Sequence, residues 1–163
     1  MESYALREKY LPNFINSKFI LEIGSGAGVS LIERFNLNKN VGQLSIDLPD
    51  TIIPAYLYLK SVNDKLRICL PDNSFRSNPL KIINDFLDPS KPKLYDVIFI
   101  TPDLANDLPK NSFDHAFNAG SFQEMDPIVV KNYMKLIERT LKPGCFFESN
   151  NNYVSRYIKG NNF

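Results

Sequence analysis

The stretch 18–35 constrains the fold more than any other part of the sequence. It begins with a compact apolar run at 18–23, continues through Gly24, Gly26 and Gly28, and ends with apolar side chains at helical spacing. This pattern is typical of a buried parallel strand that turns tightly into a helix. The pattern therefore predicts the central strand of an α/β sheet, followed by a glycine loop and a helix.

The rest of the sequence continues the alternation of strands and helices. Further strands are predicted at 42–48, 95–101, 113–118 and 145–149, with helices at 49–59 and at 127–141. Asp126 is the expected N-cap of the last helix, and Lys142-Pro-Gly is the expected stop. The segment 63–93 is less regular, with a short strand predicted at 66–70 and a helix at 79–87, and a short helix is predicted within 4–15. This order predicts a doubly wound, mostly parallel sheet with helices on both faces.

Length and charge narrow the class of protein. A chain of 163 residues predicts one domain that spans 1–163. The net charge is only +1, so neither nucleic acid nor a membrane surface is an expected partner. Cys69 and Cys145 lie too far apart for a zinc-binding spacing, so no metal is expected and both are predicted to be reduced. The first residues lack a continuous apolar run, and no later stretch is long enough to span a membrane, which predicts a cytoplasmic location.

The glycine loop is the strongest indication of ligand binding. Glycines permit positive φ and close approach of a ligand, and the amides at the start of the next helix favour negative charge. A dinucleotide fingerprint requires G-x-G-x-x-G, but Val29 stands where its third glycine should be, which argues against NAD or FAD. The phosphate-binding pattern G-x-x-x-x-G-K-[ST] is also missing here, so a nucleoside is favoured over a nucleotide. The alternative is a tight turn in an unliganded α/β domain.

Asp47 ends the second predicted strand, about 20 residues after the loop, where a carboxylate can accept hydrogen bonds from both hydroxyls of a ribose. The alternative is that Asp47 is the N-cap of the helix that begins at Pro49 or Asp50, since Asp is favoured at that position too.

Glu22-Ile-Gly-Ser-Gly-Ala-Gly28, Asp47 and the segment from Asp107 to Asp114 together resemble the class I S-adenosylmethionine-dependent methyltransferases, in order and spacing, across residues 19–149. The resemblance implies a Rossmann-like methyltransferase core with S-adenosylmethionine as cofactor. It assigns cofactor binding to Glu22, Gly24, Ser25, Gly26, Gly28, Asp47, Leu48, Asp103 or its neighbour Pro102, Asn118 and Ser121.

The resemblance also distributes the parts of the cofactor among these residues. The glycine loop approaches the methionine part, Asp47 binds the ribose, and Asp103 or Pro102 meets the adenine. Glu22 contacts the amino group, directly or through water, or else is a buried, hydrogen-bonded acid that supports the loop. Asn118 ends the strand at 113–118 and Ser121 lies just after it, and both lie under the methionine part.

A narrower resemblance concerns the acceptor. The segments 47–51 and 118–125 and the helix that carries Tyr133 resemble a branch of sugar O-methyltransferases, which implies a small hydroxylated acceptor such as a sugar. Glu124 lies at the carboxyl edge of the sheet and is the candidate general base, with a solvated or helix-capping acid as the alternative. His115 is expected to be a core residue, because it lies inside its strand.

Members of this family usually continue, after a strand like that at 145–149, through a helix and a hairpin that supply the last two strands. The resemblance therefore predicts a core that lacks the C-terminal strands, as an excised domain, a truncated product, or a homo-oligomer that completes its sheet with another copy. The alternative function is a non-catalytic or truncated domain of this fold that acts through protein contacts. A nicotinamide oxidoreductase is a third and weaker alternative.

Overall fold

The computed structural model describes residues 16–151, so the helix predicted within 4–15 lies outside the described residues. The described strands are β1 (Phe19–Ile23), β2 (Gly42–Ile46), β3 (Ile68–Cys69), β4 (Val97–Ile100), β5 (Phe113–Ala119) and β6 (Leu141–Asn150). The described α-helices are α1 (Val29–Leu37), α2 (Pro49–Val62), α3 (Asn73–Ser77), α4 (Pro79–Leu87) and α5 (Pro127–Thr140). Short 3-10 helices lie at Pro102–Asp107 and Phe122–Glu124.

The strands form one sheet in the order β3-β4-β2-β1-β5-β6, and every pairing is parallel. After β1 and β2 the chain places β3 at the edge of the sheet and then inserts β4 between β3 and β2. It then crosses back to place β5 on the other side of β1. The strand order therefore reverses beside β1, and open α/β sheets bind ligands at the carboxyl edge of such a point. The doubly wound parallel sheet predicted from the sequence is confirmed.

Alternation along β4 shows how helices cover both faces of the sheet. Ile98 and Ile100 belong to one buried cluster, which includes apolar residues of α4 and α5. Val97 and Phe99 belong to the other, together with apolar residues of α1 and α2. Successive strand residues point to opposite faces, so a continuous apolar run is what a strand between two helix layers requires.

The junction of α5 and β6 differs from the prediction. α5 ends one residue earlier than predicted, and β6 begins at once with Leu141 instead of after a loop. Phe113 pairs with Leu141 and His115 with Phe146, so residues 142–145 stand opposite a single residue of β5. The predicted stop is therefore a bulge inside the strand, because the neighbouring strand provides hydrogen-bond partners on either side of it.

Capping explains two of the helices. Asp126 is the N-cap of α5, as predicted, and its side chain accepts a hydrogen bond from the Ile128 amide at 2.8 Å. α3 was not predicted, because five residues are too few to show helical periodicity. Its N-cap, Asp72, accepts from the amide of Phe75, whose ring is buried in the core.

Within residues 16–151, Cys69 is a buried free thiol and Cys145 a half-buried one, and no group of three or more potential metal ligands occurs. No helix in this part of the chain is long and apolar enough to span a bilayer.

Candidate functional site

A cavity of about 1020 Å³ opens at the carboxyl edge of the sheet, beside the reversal of strand order. Its walls are the glycine loop after β1, residues 46–48 at the end of β2, Pro102 after β4, and residues 119–121 and 123–125 at the end of β5 and beyond it, with parts of α1 and α5. Pockets for small molecules and cofactors have volumes of about 300–1,000 Å³. The cavity therefore has room for a nucleoside-sized ligand together with a second small molecule.

The three loop glycines serve different purposes, although all have positive φ. A Cβ on Gly24 would lie 2.5 Å from the Cβ of Ser121, so packing within the protein requires glycine there. A Cβ on Gly26, where φ is 53°, would meet no atom within 4 Å and would point into open space. Gly28 is the N-cap of α1 and packs against Leu59, outside the cavity lining. Gly26 is therefore the position at which the backbone leaves space for a ligand.

Asp47 joins the loop after β1 to the end of β2. Its Oδ2 accepts from the Gly26 amide at 3.1 Å and from the Ser25 hydroxyl at 3.4 Å, and its Oδ1 accepts from the Leu48 amide at 2.8 Å. The N-cap of α2 is Leu48, and no side-chain hydrogen bond caps that helix. The structure thus places Asp47 on the cavity instead of in the capping role considered as its alternative. Ser25, Gly26 and the exposed Leu48 line the cavity beside it.

Glu22 forms a buried ion pair beneath the loop. Its side chain is 2% exposed, and it accepts hydrogen bonds from the Ser30 hydroxyl at 2.6 Å and from the guanidinium of Arg34, which is 1% exposed. Arg34 also donates from Nε to Oε1 of Gln43 at 2.8 Å and lies 4.9 Å from the centre of the Phe117 ring. Burial raises the pKa of Glu22, and the charge of Arg34 opposes this shift. Glu22 is therefore a buried acid that is hydrogen-bonded to α1, and it also lines the cavity, so its contact with the amino group of the cofactor stays a prediction.

Asn118 lies beneath the cavity and not on it. Its Nδ2 donates to the Ile23 carbonyl at 2.8 Å and to the Ser121 hydroxyl at 2.5 Å, and its Oδ1 accepts from Asn151 at 2.7 Å. The side chain is fully buried and lies outside the cavity lining, and its contact with the cofactor stays a prediction. Ser121 does line the cavity, and its hydroxyl donates to the same Ile23 carbonyl at 3.1 Å.

Asp103 also lies off the cavity. Its exposed carboxylate accepts from Nη1 of Arg76 at 3.0 Å. The hydrogen bond with Thr101, and then that with Arg76, lower the pKa of Asp103. Of the two neighbours predicted to meet the adenine, Pro102 lines the cavity and Asp103 does not, and the adenine contact itself stays a prediction. The carboxylate pairs with Arg76 of α3, whose Nη2 also donates to the Thr101 hydroxyl at 2.9 Å.

Glu124, the candidate base, and His115 occupy contrasting environments. Glu124 lies exposed on the 3-10 helix after β5 and lines the cavity. His115 is buried inside β5, where burial and the charge of Arg34 lower its pKa to about 4. Its Nε2 lies 3.8 Å from a carboxylate oxygen of Glu148, outside the cavity lining. His115 is therefore a neutral core residue at physiological pH, as expected.

Sequence reasoning missed several cavity residues, of which Tyr133 is the most informative. Its ring both packs against the core and lines the cavity. The ring stacks on Phe122, with centroids 6.1 Å apart and an angle of 25°. Burial, and then the negative charge of Asp47, raise the pKa of the Tyr133 hydroxyl. A large aromatic residue on the helix that follows β5 was the available signal.

No family model matches the chain, and no curated protein does. Solved structures do match. An S-adenosylmethionine-dependent methyltransferase from Mesorhizobium loti superposes with a TM-score of 0.54 and 18% identity, covering 90% of this chain and 50% of that one. One from Aquifex aeolicus gives a TM-score of 0.54 and 18% identity, with coverage of 87% and 61%. The fold is that of the S-adenosylmethionine-dependent methyltransferases.

A match at lower sequence identity shows the same methyltransferase fold inside a longer chain. Mitomycin 7-O-methyltransferase superposes with a TM-score of 0.58 at 12% identity, covering 86% of this chain and 33% of that one. This chain therefore spans between about a third and three fifths of the length of these structures. At such identities the matches establish the methyltransferase fold, and the Rossmann-like core predicted from the sequence is confirmed.

Proposed function

We propose that this protein is an S-adenosylmethionine-dependent methyltransferase that methylates an oxygen atom of a small hydroxylated acceptor, such as a sugar. The observation that carries the proposal is the contact of Asp47 with Gly26, at the carboxyl edge of the strands, beside a large cavity. The methyltransferases that share this fold support S-adenosylmethionine as the cofactor. We further propose that residues 1–163 form a single domain for this purpose. The cytoplasmic location stays a prediction.

The residues on the cavity fit this cofactor. Gly26 leaves open space where any side chain would stand, and its amide lies beside the Asp47 carboxylate. A carboxylate in this position suits the two hydroxyls of a ribose, and the loop amides and Ser25 suit the polar amino-acid end. Leu48 and Pro102 supply apolar walls for a purine ring. When bound, the cofactor would supply a methyl group activated by a positively charged sulfur.

The remaining work of the site is to hold the acceptor and to remove its proton. Methyl transfer depends on alignment of the acceptor oxygen and on exclusion of water. Met125, Val129 and Tyr133 line the part of the cavity beyond the loop and provide an apolar wall. Glu124 is the carboxylate on the same segment as Met125, and we propose that it accepts the hydroxyl proton.

Calorimetric titration with S-adenosylhomocysteine tests cofactor binding without knowledge of the acceptor. We expect saturable binding to the chain, and we expect Asp47→Ala to weaken it by about 1.5–3 kcal/mol, the range for hydrogen bonds to a charged group. That range corresponds to about 10- to 150-fold in the dissociation constant. Asp50→Ala is the matched control, since it removes an exposed carboxylate three residues along the chain, outside the cavity lining.

Three outcomes would contradict parts of the proposal. A folded chain that binds no S-adenosylhomocysteine at millimolar concentration would rule out the cofactor site. An Asp47→Ala variant with unchanged affinity would remove Asp47 from it. Binding without transfer of a labelled methyl group to any hydroxylated acceptor would favour the alternative, a non-catalytic domain that acts through protein contacts.

A further inference from the structure

The cavity has a charge that the whole chain does not show. Carboxylates of Glu22, Glu33, Asp47 and Glu124 line it, whereas the described lining residues include no lysine, arginine or histidine. Arg34 neutralises Glu22 in the buried ion pair, which leaves three carboxylates facing the cavity. The net charge of the chain is +1, so the lining of this cavity is more negative than the chain as a whole.

Neighbouring groups already respond to this charge. The negative charge of Asp47 contributes to the raised pKa of Tyr133, on the opposite element α5, and also to that of Glu22 beneath the loop. The field of one carboxylate thus extends across the cavity. At the same edge of the sheet, Arg76 is engaged with Asp103 outside the lining and does not offset it. Charges in a partly enclosed cavity interact several times more strongly than in bulk water.

On the basis of the proposed function, we infer that this cavity selects ligands by charge, binding S-adenosylmethionine more tightly than S-adenosylhomocysteine and taking an acceptor that carries no phosphate or carboxylate. The two cofactor forms differ by a methyl group and by one positive charge on sulfur. The carboxylates therefore favour the charged form and hold the product of transfer less tightly.

The same charge restricts the acceptor. A phosphate or carboxylate on the acceptor would lie among Glu33, Asp47 and Glu124, and like charges at a binding interface are strongly unfavourable. A neutral or amine-bearing hydroxylated molecule meets no such repulsion. The Tyr133 ring, which lines the cavity and is backed by the Phe122 ring, offers an apolar surface for its less polar face. Free sugars and amino sugars fit this description, whereas sugar phosphates do not.

The test compares the two cofactor forms by calorimetry at low ionic strength, in the absence of any acceptor. We expect S-adenosylmethionine to bind about tenfold more tightly, equivalent to one carboxylate interaction of about 1.4 kcal/mol. Glu33→Gln should reduce this ratio by about threefold or more, by weakening S-adenosylmethionine alone. Glu138→Gln is the matched control, since Glu138 is exposed on α5 outside the cavity lining. In this variant the ratio of the two dissociation constants should equal that of the wild type. Added salt should also lower the ratio, because salt screens partly exposed charges.

The outcomes separate this inference from the proposed function. Failure of S-adenosylhomocysteine to bind a folded chain defeats the proposed function itself. If it binds, but S-adenosylmethionine binds no more tightly, or the ratio is insensitive to both Glu33→Gln and salt, the inference alone is wrong. The acceptor is tested by thermal unfolding of the chain saturated with S-adenosylhomocysteine. Glucose 6-phosphate should add no stabilisation beyond that of glucose, and a larger stabilisation by the phosphate ester would overturn the inference.

Discussion

Arg34→Met is the substitution that most directly tests the buried ion pair beneath the glycine loop. Methionine keeps most of the length of the side chain but leaves the carboxylate of Glu22, which is 2% exposed, without its cation. Breaking a buried pair in this way costs about 3–5 kcal/mol, because an uncompensated charge remains in the core. The hydrogen bond to Gln43 is lost as well, at a further cost of about 1 kcal/mol. A loss of this size is a large part of the 5–15 kcal/mol that stabilises a typical domain.

The loss of stability caused by Arg34→Met should be larger at high pH than at low pH. Burial already raises the pKa of Glu22, and removal of Arg34 takes away the largest opposing contribution. In the variant, folded Glu22 then binds a proton more tightly than it does in the unfolded chain. Protonation therefore stabilises the fold at low pH, and this stabilisation is lost as the pH rises through the folded pKa. We expect a larger loss of stability at pH 8 than at pH 5.

Urea unfolding followed by circular dichroism at both pH values measures these losses. The double variant Glu22→Gln/Arg34→Met carries no buried charge at this pair, and it should recover much of the stability at pH 8. The difference between single and double variants should narrow at pH 5. Arg76→Met is the control, because its ion pair with Asp103 is exposed and worth at most about 1 kcal/mol. A loss for Arg34→Met no larger than that of the control, or one equal at both pH values, would refute this reasoning.

Two further predictions follow from the loop and the core. Gly26→Val should abolish S-adenosylhomocysteine binding in calorimetry, because the valine side chain would occupy the open space of the cavity. The positive φ at this position should cost the variant only about 1–2 kcal/mol of folding stability. Unchanged affinity would refute that placement. His115 has a pKa of about 4 in the folded chain against an ordinary value of 6.5, so the unfolded state alone gains a proton between these values. The free energy of unfolding should therefore fall by about 2 kcal/mol from pH 7 to pH 5, and His115→Gln should remove this part of the loss. An equal pH dependence of unfolding in the wild type and in His115→Gln would contradict this prediction.

The local elements near the site were predictable from sequence because their causes are local. β1 is short, apolar and followed by glycine, and the glycines in fact have positive φ. Asp126 caps α5 through an amide two residues away. The bulge at 142–145 was not predictable, since it depends on the register that β5 imposes on β6. A helix stop and a strand bulge use the same residues, proline and glycine, and only the neighbouring strand distinguishes them.

In the candidate site too, some features were predictable from the sequence and others were not. Gly26 and Asp47 follow buried strands in the sequence, and parallel strands bring their carboxyl ends to one edge, so their proximity followed from the predicted sheet. The direction of each side chain did not follow. Asn118 turns beneath the loop and Asp103 turns away to Arg76, because each finds a partner far away in the sequence.

By itself, the sequence determined the order of the elements, the parallel sheet, the glycine loop and the acid at its edge, because periodicity and turn residues act over a few positions. Tertiary structure alone decided the burial of Arg34 against Glu22 and the position of Glu33 on the same cavity as Asp47 and Glu124. From the sequence pattern alone, an arginine on an amphipathic helix is predicted to be a surface residue, because its buried partner is not apparent. The reason is physical: desolvation and Coulomb energies depend on distances in space, which a linear pattern does not contain.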